Sequence, residues 1–343
     1  MEGRGGSRRF VYVPYDQLTD AVGPLSRLRP SERGIVLVES WGKPARRPYH
    51  QQKLALLLAN QRQFALEQAR LGADVRLLAG PSFEAALDRA VADVGPLLMM
   101  EAAERELREE LAPILSSGKI AVEPHAGFLS SSADFEAACP APPYRMDAFY
   151  RHMRRKTGWL LDRGKPAGGK WSHDGANRRP WRGSPPLPTP PKFEPDEVTL
   201  EVCDLVRTRY GHHPGRISVD ALPATRADAD RLWDWAKTAC LPSFGPFEDA
   251  MSTRSTTLFH TRVSALLNLH RLLPARVCED VLALPLPLPS VEGFVRQILG
   301  WREFVRHVHR ATDGFRRGPG GTRRASLPRS ARTRRSRPPS GAP

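Results

Sequence analysis

Cysteine is scarce: the 343 residues hold four, Cys139, Cys203, Cys240 and Cys278, and none stands in a CxxC pair. That spacing excludes the usual zinc and redox motifs and offers no disulfide framework. Long apolar runs are missing as well. No stretch reaches the roughly 18 residues of a membrane span, and the N-terminus, MEGRGGSRRF, lacks the apolar core of a secretory leader. A reducing cytoplasm is therefore the expected compartment. Walker A, GxSxG and HExxH sequences are absent, so P-loop and common hydrolytic chemistries have no support. The ten histidines include His212–His213 and the pair His307 and His309, yet none has a Cys or acid at ligand spacing, so no metal site is expected.

What is present is charge, unevenly spread over a formal net +15. Residues 145–192 hold twelve Lys and Arg against Asp147, Asp162 and Asp174; residues 310–343 hold ten Arg against Asp313. Each segment is net +9, and the rest of the chain is net −3. The chain is thus near-neutral with two basic segments. The tail from 311 to 343 is almost wholly Arg, Gly, Pro, Ser, Thr and Ala. Such a composition cannot offset the entropy of ordering, so a disordered tail is expected, either an inert extension or a nucleic-acid-binding arm.

Apolar, β-branched runs at 10–14, 35–39, 75–79, 96–100 and 119–123 predict five buried strands. Helical spacing predicts helices over 53–71, 82–93 and 102–114 between them. This alternation predicts an α/β domain with a parallel, Rossmann-like sheet. No GxGxxG follows the first strand, where the turn is Tyr15-Asp16-Gln17-Leu18, so a dinucleotide dehydrogenase is disfavoured. A helix over 145–158 then leads into a long Gly- and Pro-punctuated stretch, 162–194. Beyond it the pattern is all helical, at 195–209, 225–240, 261–273, 275–284 and 290–310.

Three segments suggest chemistry. The connector interleaves Trp159, Trp171 and Trp181 with Arg163, Lys165, Lys170, Arg178 and Arg179, a mixture suited to phosphates and bases. A solvated loop anchored by its tryptophans is an equally open alternative. Residues 258–264, LFHTRVS, place hydroxyls and a cation at an expected helix start near 261, which suits either an anion or simple capping by Thr261. Gly300 lies in mid-helix, at a cost of roughly 1 kcal/mol relative to Ala. Something must pack closely there, a second helix or a flat ligand.

Several segments together resemble a known family. They are FYRHMRRKTG (149–158), GKPAGGKW (164–171), Asp174, Asn177-Arg178, Phe244-Gly245 with Asp249-Ala250-Met251, HTRVS (260–264) and VEGFVRQILGWREF (291–304). Asp16-Gln17-Leu18 and Glu39 also fit. From about residue 9 to 310 the order resembles the deoxyribodipyrimidine photolyase-related proteins, the iron–sulfur bacterial cryptochromes and prokaryotic (6-4) photolyases. The resemblance implies an α/β antenna-type domain over 9–125, a basic connector over 126–194 and part of a helical FAD-binding domain over 195–310. It implies light-driven, FAD-dependent repair of pyrimidine (6-4) photoproducts in UV-damaged DNA, or photoreception.

By the same resemblance, His260, Thr261, Arg262 and Ser264 are expected near the FAD phosphates. Gln297, Trp301 and Glu303 are the expected catalytic residues on the flavin and lesion side. Asp16 and Glu39 are also expected to bind a cofactor, the resemblance allows a lumazine-type antenna in the α/β domain, and Arg151, Arg154, Arg155, Lys156, Lys170 and Arg178 are expected at DNA. Two positions depart from the pattern: Lys43 stands where an acid is common, and His270 where Gly is common. The likeness stops near Arg310, where the helical periodicity gives way to the Arg-rich tail as it would after a frameshift. A truncated chain is therefore expected to bind FAD weakly or not at all. No iron–sulfur cluster is expected, because the four cysteines lie outside the family's ligand segment. The alternative function is a non-catalytic nucleic-acid-binding remnant that uses the connector and tail.

Overall fold

A computed structural model describes residues 8–318. Five parallel strands form the first layer: β1 (Arg9–Tyr12), β2 (Arg33–Ser40), β3 (Asp74–Gly80), β4 (Leu97–Met100) and β5 (Ile120–Glu123). Their order is β3-β2-β1-β4-β5. The order in which strands are added reverses between β1 and β4, the kind of switch point at which a crevice opens at the carboxyl ends of the strands. Each of the five runs legible in the sequence forms one of these strands. The short helix α1 (Gly42–Arg46) and the long α2 (Gln51–Arg70) follow β2; α3 (Phe83–Val94) and α4 (Arg105–Ser116) follow β3 and β4. α2 ends because Gly72 adopts φ +97°, a conformation that costs glycine little.

α2 buries more than leucines. Asn60, Gln61, Gln63 and Gln68 are all at most 2% exposed. Their amide N–H groups find acceptors: Gln61 Nε2 donates to Val38 O, Asn60 Nδ2 to Pro223 O and Gln63 Nε2 to Asp196. Burial of polar groups is tolerated on those terms.

The connector begins with α5 (Ser132–Ala138), which the sequence pattern did not reveal, and α6 (Met146–Thr157). A small hairpin follows, β6 (Leu161–Asp162) with β7 (Lys165–Pro166). α7 (Glu197–Tyr210) was expected to open the helical part. Instead Val202, Cys203, Val206 and Tyr210 pack with Leu54, Ala55 and Ala59 of α2. The helical core is built from α8 (Arg226–Trp235), a π-helical turn (Ala236–Cys240), α9 (Leu241–Phe244), α10 (Ser264–Asn268), α11 (Pro274–Ala283), α12 (Leu288–Val295), a second π turn (Arg296–Arg302) and α13 (Glu303–Ala311). Trp233, Phe294, Val295 and Leu299 lie at its centre together with Phe149 and Met153 of α6.

Polar ties close the seam between the two halves. Arg271 binds Glu67 with two nitrogens, and Arg310 binds Glu101 likewise. His270, at φ +56°, lies between the Asp16 and Gly127 carbonyls. Of the tail expected to be disordered from 311, residues 311–318 are described and the end of α13 continues to Ala311. Asp313 pairs with Arg105 at 2.7 Å, and the Arg-rich remainder from 319 lies outside the described residues.

Candidate functional site

A large concavity, about 910 Å³, lies between the connector and the α12–α13 segment. Its base is a buried ionic network. Glu292, 1% exposed, accepts from Tyr150 Oη at 3.1 Å and from the His173 backbone N–H at 2.8 Å. Arg296 lies one turn on, 3.4 Å from Glu292, 3.4 Å from Glu248 and 3.1 Å from Asp174. Glu248 also accepts from Asn177 Nδ2 and Gln297 Nε2. Burial pushes the Glu248 carboxyl above its ordinary range, opposed by Arg296 and Asn177. Gly293 makes this arrangement possible. A Cβ there would lie 2.6 Å from Asn177 Nδ2 and 2.7 Å from Glu248 Oε2. Charge and hydrogen bonds thereby fix the connector segment 173–177 onto α12, alongside the apolar packing of α6.

The π turn places Gln297 and Trp301 on the wall of this concavity. π turns occur mostly as local features at functional sites. Trp301 is 43% exposed, unusual for so large an apolar ring. Gly300 serves helix packing and not a flat ligand: its Cβ would meet Met146 Sδ at 3.1 Å and Tyr150 Cδ2 at 3.4 Å on α6. Arg151, Lys170 and Arg178 line the opposite side, and Trp171 lies among them. The charge is balanced there, because Asp147, Asp174 and Asp249 share the lining.

A second cavity of about 370 Å³ adjoins the first and shares Phe244, His260 and Gln297 with it. Thr261, Arg262, Ser264, Asn268 and Arg302 also line it. The helix expected over 261–273 is reduced to α10, five residues from Ser264, capped by no side chain. Thr261 is therefore not a helix cap. The segment before α10 is strained instead: Leu258 and Arg262 both adopt positive φ, at 45° and 59°.

A third cavity, about 200 Å³, sits at the carboxyl ends of β1, β2 and β3. Glu39 lines it, held by Arg62 at 2.7 Å. Lys43 and Glu104 form an ion pair across it at 2.6 Å. Burial pushes Glu104 up to about 7 and Lys43 down to about 8. Asp16 is partly buried, and desolvation raises its carboxyl to about 6. It does not line the cavity, and its carbonyl accepts from His270.

Residues 11–221 match the deoxyribodipyrimidine photo-lyase-related protein family. The chain belongs to that family. It is 32% identical over 317 residues to a (6-4) photolyase of Agrobacterium fabrum (strain C58 / ATCC 33970), covering 88% of this chain and 62% of the relative. The fold is similar to that of a bacterial class III photolyase from Agrobacterium tumefaciens, with a TM-score of 0.51 at 14% identity, over 88% of this chain and 59% of that one. The chain thus spans about three fifths of the length of the relatives it matches.

Within this photolyase-related chain the expected site residues divide. Gln297, Trp301, Arg151, Lys170 and Arg178 converge on the large concavity, and His260, Thr261, Arg262 and Ser264 on its neighbour. Three residues do not fit the roles expected of them. Arg154 was expected at DNA but is 1% exposed, and its guanidinium donates to the carbonyls of Trp159, Leu160 and Trp171. Glu303 was expected on the lesion side but is fully buried and faces the other way. Its Oε2 accepts from Leu129 N, Ser130 N and Ser130 Oγ. Lys156 is committed to Asp134 at 2.7 Å. Arg155 is exposed and lies over the Trp171 ring at 4.9 Å. The sequence analysis missed Glu248, Glu292 and Arg296. For Glu292 and Arg296 the signal was a charged face on an otherwise apolar helix; Glu248, in the turn after α9, had none.

Asp134 gives the fold a measurable acid dependence. Burial would raise its pKa, but the bonds from Lys156 and Ser131 outweigh that and hold it at about 2. A carboxyl depressed on folding contributes stability above its unfolded pKa and loses it as pH falls through the folded value. The wild-type chain should therefore lose stability between about pH 4 and pH 2 from this group. Lys156→Ala should lower the urea midpoint at pH 7 and flatten the decline below pH 4. Equal midpoints for the two chains at every pH would remove Asp134 from the account.

Proposed function

We propose that this chain forms the DNA-facing part of a photolyase-type flavoprotein whose activity is light-driven repair of pyrimidine (6-4) photoproducts. The observation that carries this reading is the 910 Å³ concavity with exposed Trp301 and Gln297 on one wall and basic connector residues on the other. A lesion must leave the base stack to be repaired, at a cost that is small for an already damaged pair. An exposed indole offers the extruded base a stacking surface in exchange. Gln297, held by Glu248, presents its amide beside that surface.

FAD fits the adjoining cavity in part. Arg262 supplies charge, and Ser264 and Asn268 supply donors, for an anion. His260 and Thr261 complete that set. When bound, FAD supplies the photochemical electron for the lesion. At about 370 Å³ the cavity lies near the lower limit of small-molecule sites and encloses only part of a dinucleotide. The 343-residue chain should accordingly bind FAD weakly. The α/β cavity, with Glu39 on its wall, is the proposed seat of an antenna chromophore.

The test is Trp301→Ala. Loss of one stacking platform should cost about 1–3 kcal/mol of affinity for oligonucleotides bearing a (6-4) photoproduct. Affinity for the undamaged duplex should be unchanged. Equal losses on both DNAs would favour the non-catalytic nucleic-acid-binding remnant, for which the lesion pocket has no use.

A further inference from the structure

Among the described residues no large apolar side chain is as exposed as Met251, at 91%. A lone apolar side chain on a surface is ordinary. This one is held in an unusual way at an unusual place. Asp249, two residues before it, is exposed and lines the large concavity. Two residues span at most about 7 Å, so Met251 stands at the rim of that concavity. Its backbone is anchored on both flanks. Ala250 is 6% exposed and packs with Leu258 and Phe259, and Phe247 stacks on Phe259 at 5.1 Å. On the other flank the chain turns tightly through a bridge between Ser252 and Ser255. Ser255 Oγ accepts from the Thr257 and Leu258 N–H groups at 3.1 and 2.9 Å. Arg254 lies over the Trp181 ring of the connector at 4.6 Å.

The surroundings of Met251 suit a nucleic-acid backbone. Arg178 is exposed and 3.8 Å from Asp249, and Thr253, Arg254 and Thr256 are exposed on the turn that follows. Cations and hydroxyls contact phosphates and sugars. A methionine has no such use, but it is one of the apolar side chains that proteins insert between base steps. Its unbranched, polarizable thioether adapts to an irregular gap. Extruding a lesion from the stack creates a gap of that kind.

We propose that Met251 is a wedge that enters the duplex where the lesion has left it and holds the gap open. The proposal rests on the reading of the concavity as a lesion pocket, since a duplex with no extruded base offers the wedge no gap. It adds a residue on the far side of the concavity's rim from Trp301, acting on the duplex and not on the lesion.

The test uses a duplex with a (6-4) photoproduct in one strand and 2-aminopurine opposite it, a base whose emission rises when it is unstacked. It is titrated in the dark with the full 343-residue chain as wild type, Met251→Ser, Met251→Leu and Trp301→Ala. Wild type should raise the emission. Met251→Ser should raise it less and bind the lesion duplex about tenfold more weakly, the effect of withdrawing one buried methionine side chain. Met251→Leu, still apolar, should restore both readouts, and the undamaged duplex should bind all four chains alike. Met251→Ser equal to wild type in affinity and emission would overturn the wedge. So would a leucine variant as weak as the serine one, or an equal loss on the undamaged duplex. If Met251→Ser changes nothing while Trp301→Ala loses lesion affinity, the wedge fails and the lesion pocket stands. If wild type binds both duplexes equally and never raises the emission, both fail.

Discussion

Replacing Arg154 with Ala should destabilise the chain by about 3–5 kcal/mol, the range for stranding several buried hydrogen-bonding groups. The guanidinium is the common partner of three backbone carbonyls, those of Trp159, Leu160 and Trp171. It also lies 5.1 Å from the Trp171 ring and 5.5 Å from that of Tyr150. Leu160 is held at φ +56°, a strained conformation for a leucine, and Arg154 binds its carbonyl. Lysine is no remedy. A single ammonium cannot span three acceptors set around a planar fork. The measurement is the urea midpoint of wild type, Arg154→Ala and Arg154→Lys, with the slope checked for constancy. A loss below about 1 kcal/mol, the level of an ordinary surface change, would contradict a structural role.

The larger functional effect should come from Arg151→Ala, Lys170→Ala and Arg178→Ala combined. These three line the proposed DNA face and are exposed. Each lost phosphate contact should flatten the salt dependence of log K by about 0.9. At low salt the triple variant should bind duplex DNA roughly ten- to a hundredfold more weakly, whatever its sequence. Arg151 and Arg178 must exchange their carboxylate partners, Asp147 and Asp174, for phosphate. That exchange limits the gain, so Lys170→Ala alone should account for the largest single share. Unchanged affinity and slope would place the DNA surface elsewhere.

Periodicity exposed the sheet well because a buried parallel strand reads as a short apolar run, while the equally apolar 54–59 reads as helix from the longer pattern around it. The connector was legible by composition but not by role. Arg154, Arg155 and Lys156 are adjacent, so sequence treats them alike. On α6 they point in different directions: into the core, over Trp171 and toward Asp134. Glu303 misled for a related reason. Its neighbour Trp301 faces the concavity, but two residues along a helix is half a turn, and Glu303 meets Ser130 on the far side. The helix expected from 261 was shortened by positive φ at Arg262 and His270, which hydropathy cannot reveal. The charged network below the concavity was hidden because its members are far apart in sequence, at 150, 174, 177, 248, 292 and 296.

Gly293 carries that last point further. Its missing side chain is the space in which Glu248 and Asn177 meet the helix. Three positions in three separate segments are therefore coupled through one close contact. An alanine at 293 would be harmless in an isolated helix, yet here it must displace a carboxylate that Arg296 and Gln297 also hold. Among relatives alignable with this chain, a side chain at 293 should be found only where 177 and 248 have changed with it. A drift of any one alone would be a passage through a misassembled connector.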